Sequence, residues 1–322
     1  MEGLQTTWGS LIAVYLFLGG LGAGCFVATA VIALTTGERF RSTVRFGAWA
    51  SAITILVGTL MLLIEVGKPF RALVLFNSFS NLQSWMAIGA WLVFGAILFN
   101  GLFALFWTES VLRWAGARVR LLEKKRKGFR TVLAAPGIFL NLGVAFYTGV
   151  LLGVLPFRPF WNTWWLPALF TVSALDTGIG LVTAYATLRE RGEGATRLRR
   201  ILEVSVITLI VIEGVVLGYY LHKMLNGSAD AARAAQLLIR GAVSPVFWII
   251  VVGLGLAVPL LVCLSQLSGS LRRAAVVLPL VAITSCLLGG LALRFVVLWA
   301  GIPALLSSPS LMQILTGTRF VP

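Results

Sequence analysis

Eight long apolar runs decide what this chain can become. They fall at roughly 10 to 34, 46 to 66, 84 to 107, 132 to 155, 164 to 188, 201 to 221, 244 to 266 and 274 to 299. Each has about 20 residues or more, enough for a helix to cross a hydrocarbon core about 30 Å thick. Backbone amides in hydrocarbon must be satisfied within their own segment, and the runs lack the alternation of a barrel strand, so helices are the remaining solution. The rest of the composition agrees: 59% of the 322 residues are hydrophobic and 11% charged, too little polar surface to cover a water-soluble globule. The expected fold is an all-α integral membrane protein, one bundle of about eight transmembrane helices over residues 1–322. The first run has no Lys or Arg ahead of it and is longer than a signal-peptide core, so a retained helix is expected rather than a cleaved leader.

A net charge of +15 could suggest nucleic acid as a partner. The basic residues, however, form no separate domain and sit in the short connections between apolar runs. The first, third, fifth and seventh connections hold 18 Lys and Arg, against 7 in the other connections and the two termini. The positive-inside rule then places both termini outside and Arg113 to Arg130, with the core Lys124-Lys125-Arg126-Lys127, in the cytoplasm, where membrane lipid of negative charge is attracted to it. The cysteines Cys25, Cys263 and Cys286 lie inside apolar runs without paired spacing, which argues for small packing residues and against a disulfide framework or a thiolate metal site. A single histidine argues against haem held between paired ligands, and three scattered cysteines against an iron–sulfur cluster. Any redox role of the protein therefore calls for a diffusible carrier, with metal centres on a partner.

The outer connections are rich in aromatic residues and proline: Lys68-Pro69-Phe70-Arg71 with Asn77 to Trp85, Pro156 to Trp161, and His222 to Ser244. They suit a docking or substrate-entry face, although Trp161, Trp164 and Trp165 also fit the indole belt at the headgroup level. Ser228 to Gly241 has the spacing of a short amphipathic helix lying along the outer interface.

Ionisable residues inside a bilayer are costly and default to functional candidates. Here they are Glu65 at the outer end of the second run, Asp176 near the middle of the fifth, Glu213 past the middle of the sixth and Arg294 in the outer third of the eighth, with Glu203 and His222 at the two ends of the sixth. With alternating helix directions, Glu65, Glu213, His222, Arg294, Tyr15 and Tyr147 share the outer half. Acids, a guanidinium and phenols at one depth can bind a polar headgroup whose tail lies in lipid, or pass protons to and from it; the plainer alternative is that Arg294 pairs with an acid to lock two helices. In Glu65-x-x-Lys68-Pro69 the proline stops the helix and the lysine faces its dipole, one turn past the acid. Gly19-Gly20-Leu21-Gly22-Ala23-Gly24 offers a smooth face for close helix approach, or room for a flat ring.

Several of these segments resemble the polysulfide reductase/NrfD-type membrane subunits of respiratory complexes. Trp8 to Gly24, WGSLIAVYLFLGGLGAG, is similar to that family's first helix. Ile64 to Arg71 followed by Ser84 to Trp91, SWMAIGAW, resembles its signature joining the second and third helices. Tyr147-Thr148-Gly149 with Arg158 to Thr163 and Leu166-Pro167 resembles the signature joining the fourth and fifth, and Gly289-Gly290 with Leu293-Arg294-Phe295 its last helix. The likeness runs from about residue 8 to residue 301. It departs at Glu65, where many members carry Asp, and at Tyr15, where some carry His.

The resemblance implies a multi-pass subunit of the prokaryotic cytoplasmic membrane. It implies a site for a quinone, menaquinone or ubiquinone, near the outer face, beneath a ferredoxin-like subunit with several iron–sulfur clusters. That subunit would exchange electrons with a molybdenum or tungsten bis-pterin catalytic subunit. Carried over by position, Tyr15 and Tyr147 are candidates for hydrogen bonds to the headgroup, with His222 beside them by depth. Glu65 and Lys68 are candidates for a proton-handling pair, Arg294 for orienting an acid or the quinone oxygen, and Asp176 and Glu213 for a proton route. Two other classes remain open: a secondary transporter coupling ions through its intramembrane acids, with Pro259 and Pro279 kinking their helices, and an anchor with no quinone site.

Overall fold

The computed structural model describes residues 8–65, 84–109, 126–267 and 277–303. Nine helices are present among the described residues, and no strand. They are α1 (Ser10–Thr36), α2 (Arg41–Glu65), α3 (Trp85–Phe106), α4 (Arg126–Gly153), α5 (Trp165–Arg189), α6 (Glu193–Leu225), α7 (Ala229–Ile239), α8 (Val246–Leu267) and α9 (Val277–Ala300). Eight of these, all but α7, are long and apolar enough to cross a membrane, one for each apolar run. The helices outrun those windows where the flanks are basic: α2 begins at Arg41, α4 at Arg126 and α6 at Glu193. A helix continues past the hydrocarbon edge because polar side chains there are solvated while its backbone bonds stay internal. In α8 the first part, Val246–Ala257, is wound as π-helix and the second, Val258–Leu267, as α-helix. The change falls just before Pro259, which has no N–H to give to the preceding turn.

Helix α1 is central, packing against α2, α4, α5 and α9, while α5 also meets α6. The α1–α5 crossing explains the glycine-rich stretch. A Cβ at Gly24 would overlap the carbonyl oxygen of Ala174, one at Gly178 would overlap the backbone of Gly24 and Cys25, and one at Gly20 would lie 3.1 Å from the Ala174 Cβ. Small residues allow backbone-to-backbone contact where lipid gives no hydrophobic drive for association. Gly255 and Gly289 make the same kind of approach between α8 and α9. Between α2, α3 and α4 the glue is polar: Asn100 and Asn141 exchange amide hydrogen bonds of 3.0 and 2.8 Å, and Asn100 also donates to Ser51 at 2.7 Å, all three residues being fully buried.

The two ends of the bundle differ. At one, Trp161 is fully buried and donates from Nε1 to the Val297 carbonyl at 2.8 Å, with Trp8 packed 5.6 Å away and the Arg158 guanidinium 4.7 Å over its ring. Trp161 is thus a keystone between the α4–α5 connection and the end of α9, not a belt residue; Trp164 and Trp165 stay exposed. Arg158 also donates to the Gly301 carbonyl. Partial burial lowers the Arg158 pKa from its ordinary value, and a guanidinium stays charged through such a shift. Helix α7, capped by the Ser228 hydroxyl, packs Ala231, Ala234, Ala235 and Leu238 onto α6, α8 and α9 at this end.

At the other end Arg130 bonds Glu38 at 2.7 Å, donates to the Phe106 carbonyl and lies 4.0 Å over Trp107. Arg41 pairs there with Glu109, and Glu190 accepts from the backbone and hydroxyl of Thr43. Lys124 and Lys125 lie outside the described residues. Tyr220, fully buried on α6, donates to the Phe160 carbonyl at 2.6 Å. Tyr220→Phe is therefore expected to lower stability by about 1–3 kcal/mol, because the carbonyl is left buried and unpaired; unfolding in detergent, compared with wild type, checks this.

Candidate functional site

The structure sorts the intramembrane polar residues into two groups. The first lies between α5, α6 and α9. Arg294, 1% exposed, donates from Nη1 to Ser173 Oγ at 2.5 Å and to the Gly290 carbonyl at 3.2 Å, from Nη2 to the Phe170 carbonyl at 3.2 Å, and sits 4.7 Å over the Phe170 ring. It also reaches towards α1, where a Cβ on Gly20 would come within 3.6 Å of Nη2. Ser173 and Arg294 both lie close enough to the buried Glu213 carboxylate to act on it electrostatically. Since Ser173 accepts from arginine, its own proton is free to turn to the acid, so the three residues link three helices. Asp176, one turn along α5, accepts from the Cys286 thiol at 3.2 Å and feels the charge of Glu213. Asp176 Oδ1 and Arg294 Nε are buried without a hydrogen-bond partner among the described residues.

A small cavity of about 10 Å³ touches Ser173, Asp176, Glu213, Cys286, Gly289 and Gly290. That is roughly one water, too little for a ring. The geometry can hold and shift a proton; it cannot seat a headgroup. The cluster holds two carboxylates and one guanidinium, so it is neutral with one proton on the acid pair and carries one net negative charge without it.

The second group lies nearer the Trp161 end. Tyr15 on α1 and Tyr147 on α4 are both buried, and their phenols are close enough to interact electrostatically. Tyr147 is seated on α3, where a Cβ at Gly89 would fall inside its ring. Glu65, half-buried at the last position of α2, accepts from the Gly9 backbone N–H at 3.0 Å at the start of α1. Lys68, the expected partner of Glu65, lies outside the described residues. His222 is exposed on α6 and faces Asn226 on its own helix, so it joins neither group. Glu203, 8% exposed, sits on α6 towards the opposite end, near Arg199. All three cysteines are free and buried; Cys25 approaches the Gly178 carbonyl at 3.6 Å, whereas Cys286 is a partner of an acid and more than a packing residue.

Sequence reading missed Ser173, Cys286 and Gly9. A serine and a cysteine are common in packed membrane helices, and nothing in their local sequence shows which carboxylate they face. One signal was available: Ser173 and Asp176 are three apart on α5, and so share a helix face.

Known proteins are similar in sequence to this one over most of its length. Residues 2–305 match the family described as Polysulphide reductase, NrfD. The sequence is 28% identical over 303 residues to the C subunit of polysulfide reductase from Wolinella succinogenes, covering 91% of this protein and 94% of that one. It is 26% identical over 313 residues to Protein NrfD of Escherichia coli, with the same coverage. The Hdr-like menaquinol oxidoreductase integral membrane subunit of Archaeoglobus fulgidus is 24% identical over 276 residues, 82% of this protein and 64% of that one.

Proposed function

The protein belongs to the polysulphide reductase NrfD family, and from that premise we propose that this multi-pass membrane anchor binds a quinone or quinol at the Trp161 end of the bundle. That end is read as the outer side, with both termini there, from the distribution of basic residues. Relatives named for polysulfide reductase and for menaquinol oxidoreductase support the reading. Their names, as subunits of oxidoreductases, also support partners on other polypeptides, which we take from the family resemblance to be a ferredoxin-like iron–sulfur subunit on the outer face and a molybdenum or tungsten bis-pterin subunit carrying the substrate chemistry.

The observation that carries the proposal is the pair of buried phenols on facing helices, close to one another and at the same end of the bundle as the Glu65 carboxylate. The bound carrier supplies a couple that exchanges two electrons and two protons. Tyr15 and Tyr147 have O–H donors for its oxygens, and Glu65, anchored through Gly9, takes up or gives a proton at the mouth. Arg294, Ser173, Glu213 and Asp176 hold a second proton deeper in the bundle. Arg294 keeps the acids oriented and supplies the charge that lets one of them ionise in a low dielectric.

Tyr147→Phe keeps the ring against Gly89 and removes only the donor. Quinol-analogue turnover by the assembled complex is expected to fall by about tenfold or more with partner subunits still bound. Unchanged kinetics would take Tyr147 out of the site. Solute uptake by the protein alone, without redox exchange with a partner, would replace the proposal by the transporter reading.

A further inference from the structure

A second, much roomier groove plays no part in the site above. It runs between α1 and α6 at the Arg130 end and holds about 600 Å³, against about 10 Å³ beside Asp176. Its walls are apolar, with Val27 and Val31 on α1 and Leu198 and Ile201 on α6, and its polar rim carries Arg39 and Arg197.

Three features define what fits it. First, the groove opens sideways: Val31 and Ile201 at its edge are 45% and 55% exposed on flanks that lie along membrane-spanning helices, so it is continuous with the surface that meets lipid tails. Second, its charge has one sign. No carboxylate lines it, and among the described residues neither Arg39 nor Arg197 has an ion-pair partner, unlike Arg41 and Arg130 at the same end. Third, its hydroxyls are already committed, Thr35 to the Val31 carbonyl, Thr36 to that of Ile32 and Ser205 to that of Ile201, which leaves the two arginines as its side-chain hydrogen-bond donors. The Arg39 guanidinium is held there by packing on Gly194, where a Cβ would overlap it.

An apolar trough open to hydrocarbon and rimmed by two arginines matches one ligand chemistry: a negatively charged headgroup joined to an acyl chain. Guanidiniums grip phosphate oxygens with paired hydrogen bonds. We propose that this groove is a site for one anionic phospholipid of the surrounding leaflet, its phosphate held by Arg39 and Arg197 and one acyl chain laid along Val27 and Ile201. The site ties α1 to α6, and it lies at the end that the basic connections assign to the cytoplasmic leaflet, where anionic lipid is attracted.

The test uses the full-length protein, purified in mild detergent, stripped of lipid and offered equal amounts of phosphatidylglycerol and phosphatidylcholine; retained lipid is counted by native mass spectrometry. One phosphatidylglycerol per protein is expected to be held in preference. The double variant Arg39→Gln/Arg197→Gln should lower that preference at least about tenfold, whereas Arg233→Gln/Arg240→Gln, which removes the same charge beside α7, should keep it. Both arginines of the groove are exposed, so elution as a folded monomer is expected for either variant and is checked by size exclusion. Equal retention of the two lipids, retention unaffected by Arg39→Gln/Arg197→Gln, or displacement of the lipid by inorganic phosphate alone would each overturn the proposal. So would a dimer that the same double variant dissociates, because a second copy would then be the occupant.

Discussion

Arg294→Met is expected to cut the yield of folded, assembled protein by tenfold or more, the largest single-residue effect of any charge in the bundle. The guanidinium is 1% exposed, bonds Ser173 and two carbonyls, and is the cation that acts on Glu213. Methionine fills similar space but leaves two buried acids with no opposing charge, and removing one partner of a buried charged pair costs about 3–5 kcal/mol. If uncompensated charge is the cause, Glu213→Gln in the same protein should restore part of the loss, with a coupling of about 1–3 kcal/mol across the double-mutant cycle. If the bonds to Ser173 and the Phe170 carbonyl are the cause, the double variant will be as poor as the single one. Yield and thermal unfolding of all four proteins decide the matter, and a fully stable Arg294→Met variant would show that the cluster is not held together by charge.

Gly178→Leu is expected to prevent the bundle from forming. The α-carbon of Gly178 on α5 lies so near Gly24 and Cys25 on α1 that even a Cβ overlaps backbone atoms. Backbone cannot step aside as a side chain can, so the two central helices must separate. Overpacking in well-packed cores costs about 1–3 kcal/mol where side chains can shift, and this position has no such outlet. Separation would also pull Ala174 away from Gly20. The expected readout is loss of monodisperse protein in size exclusion, while Gly214→Leu, on a face of α6 where an added Cβ meets nothing within 4 Å, should behave as wild type. A folded Gly178→Leu variant would mean that α1 and α5 are not held in direct contact.

The glycine pattern of α1 was legible as a close-approach surface, but its partner was not. Nothing in Gly20 or Gly24 names Ala174 and Gly178, which stand about 150 residues away in the sequence. Trp161 shows the converse. Its place in a cluster of tryptophans beside a helix end suited a headgroup belt, since the indole N–H can bond water or lipid as readily as protein. In the fold that N–H goes to the Val297 carbonyl, and the decision lies with the end of α9. Depth along the helices put Glu65, Glu213, His222 and Arg294 into one half. Rotation about each helix then separated them, because it turned His222 outward and Glu213 inward.

By itself the sequence determined that this protein lives in a bilayer as helices, where they lie, and to which family it belongs, since each follows from the length, hydrophobicity and order of local segments. Only the tertiary structure decided which polar groups meet: Arg294 with Ser173 and Glu213, Cys286 with Asp176, Asn100 with Asn141. The physical reason is that lipid solvates every apolar face of a membrane helix equally well. Hydrophobic pattern alone therefore does not fix which face turns inward, and the choice falls to close-packed small residues and to buried hydrogen bonds between helices distant in sequence.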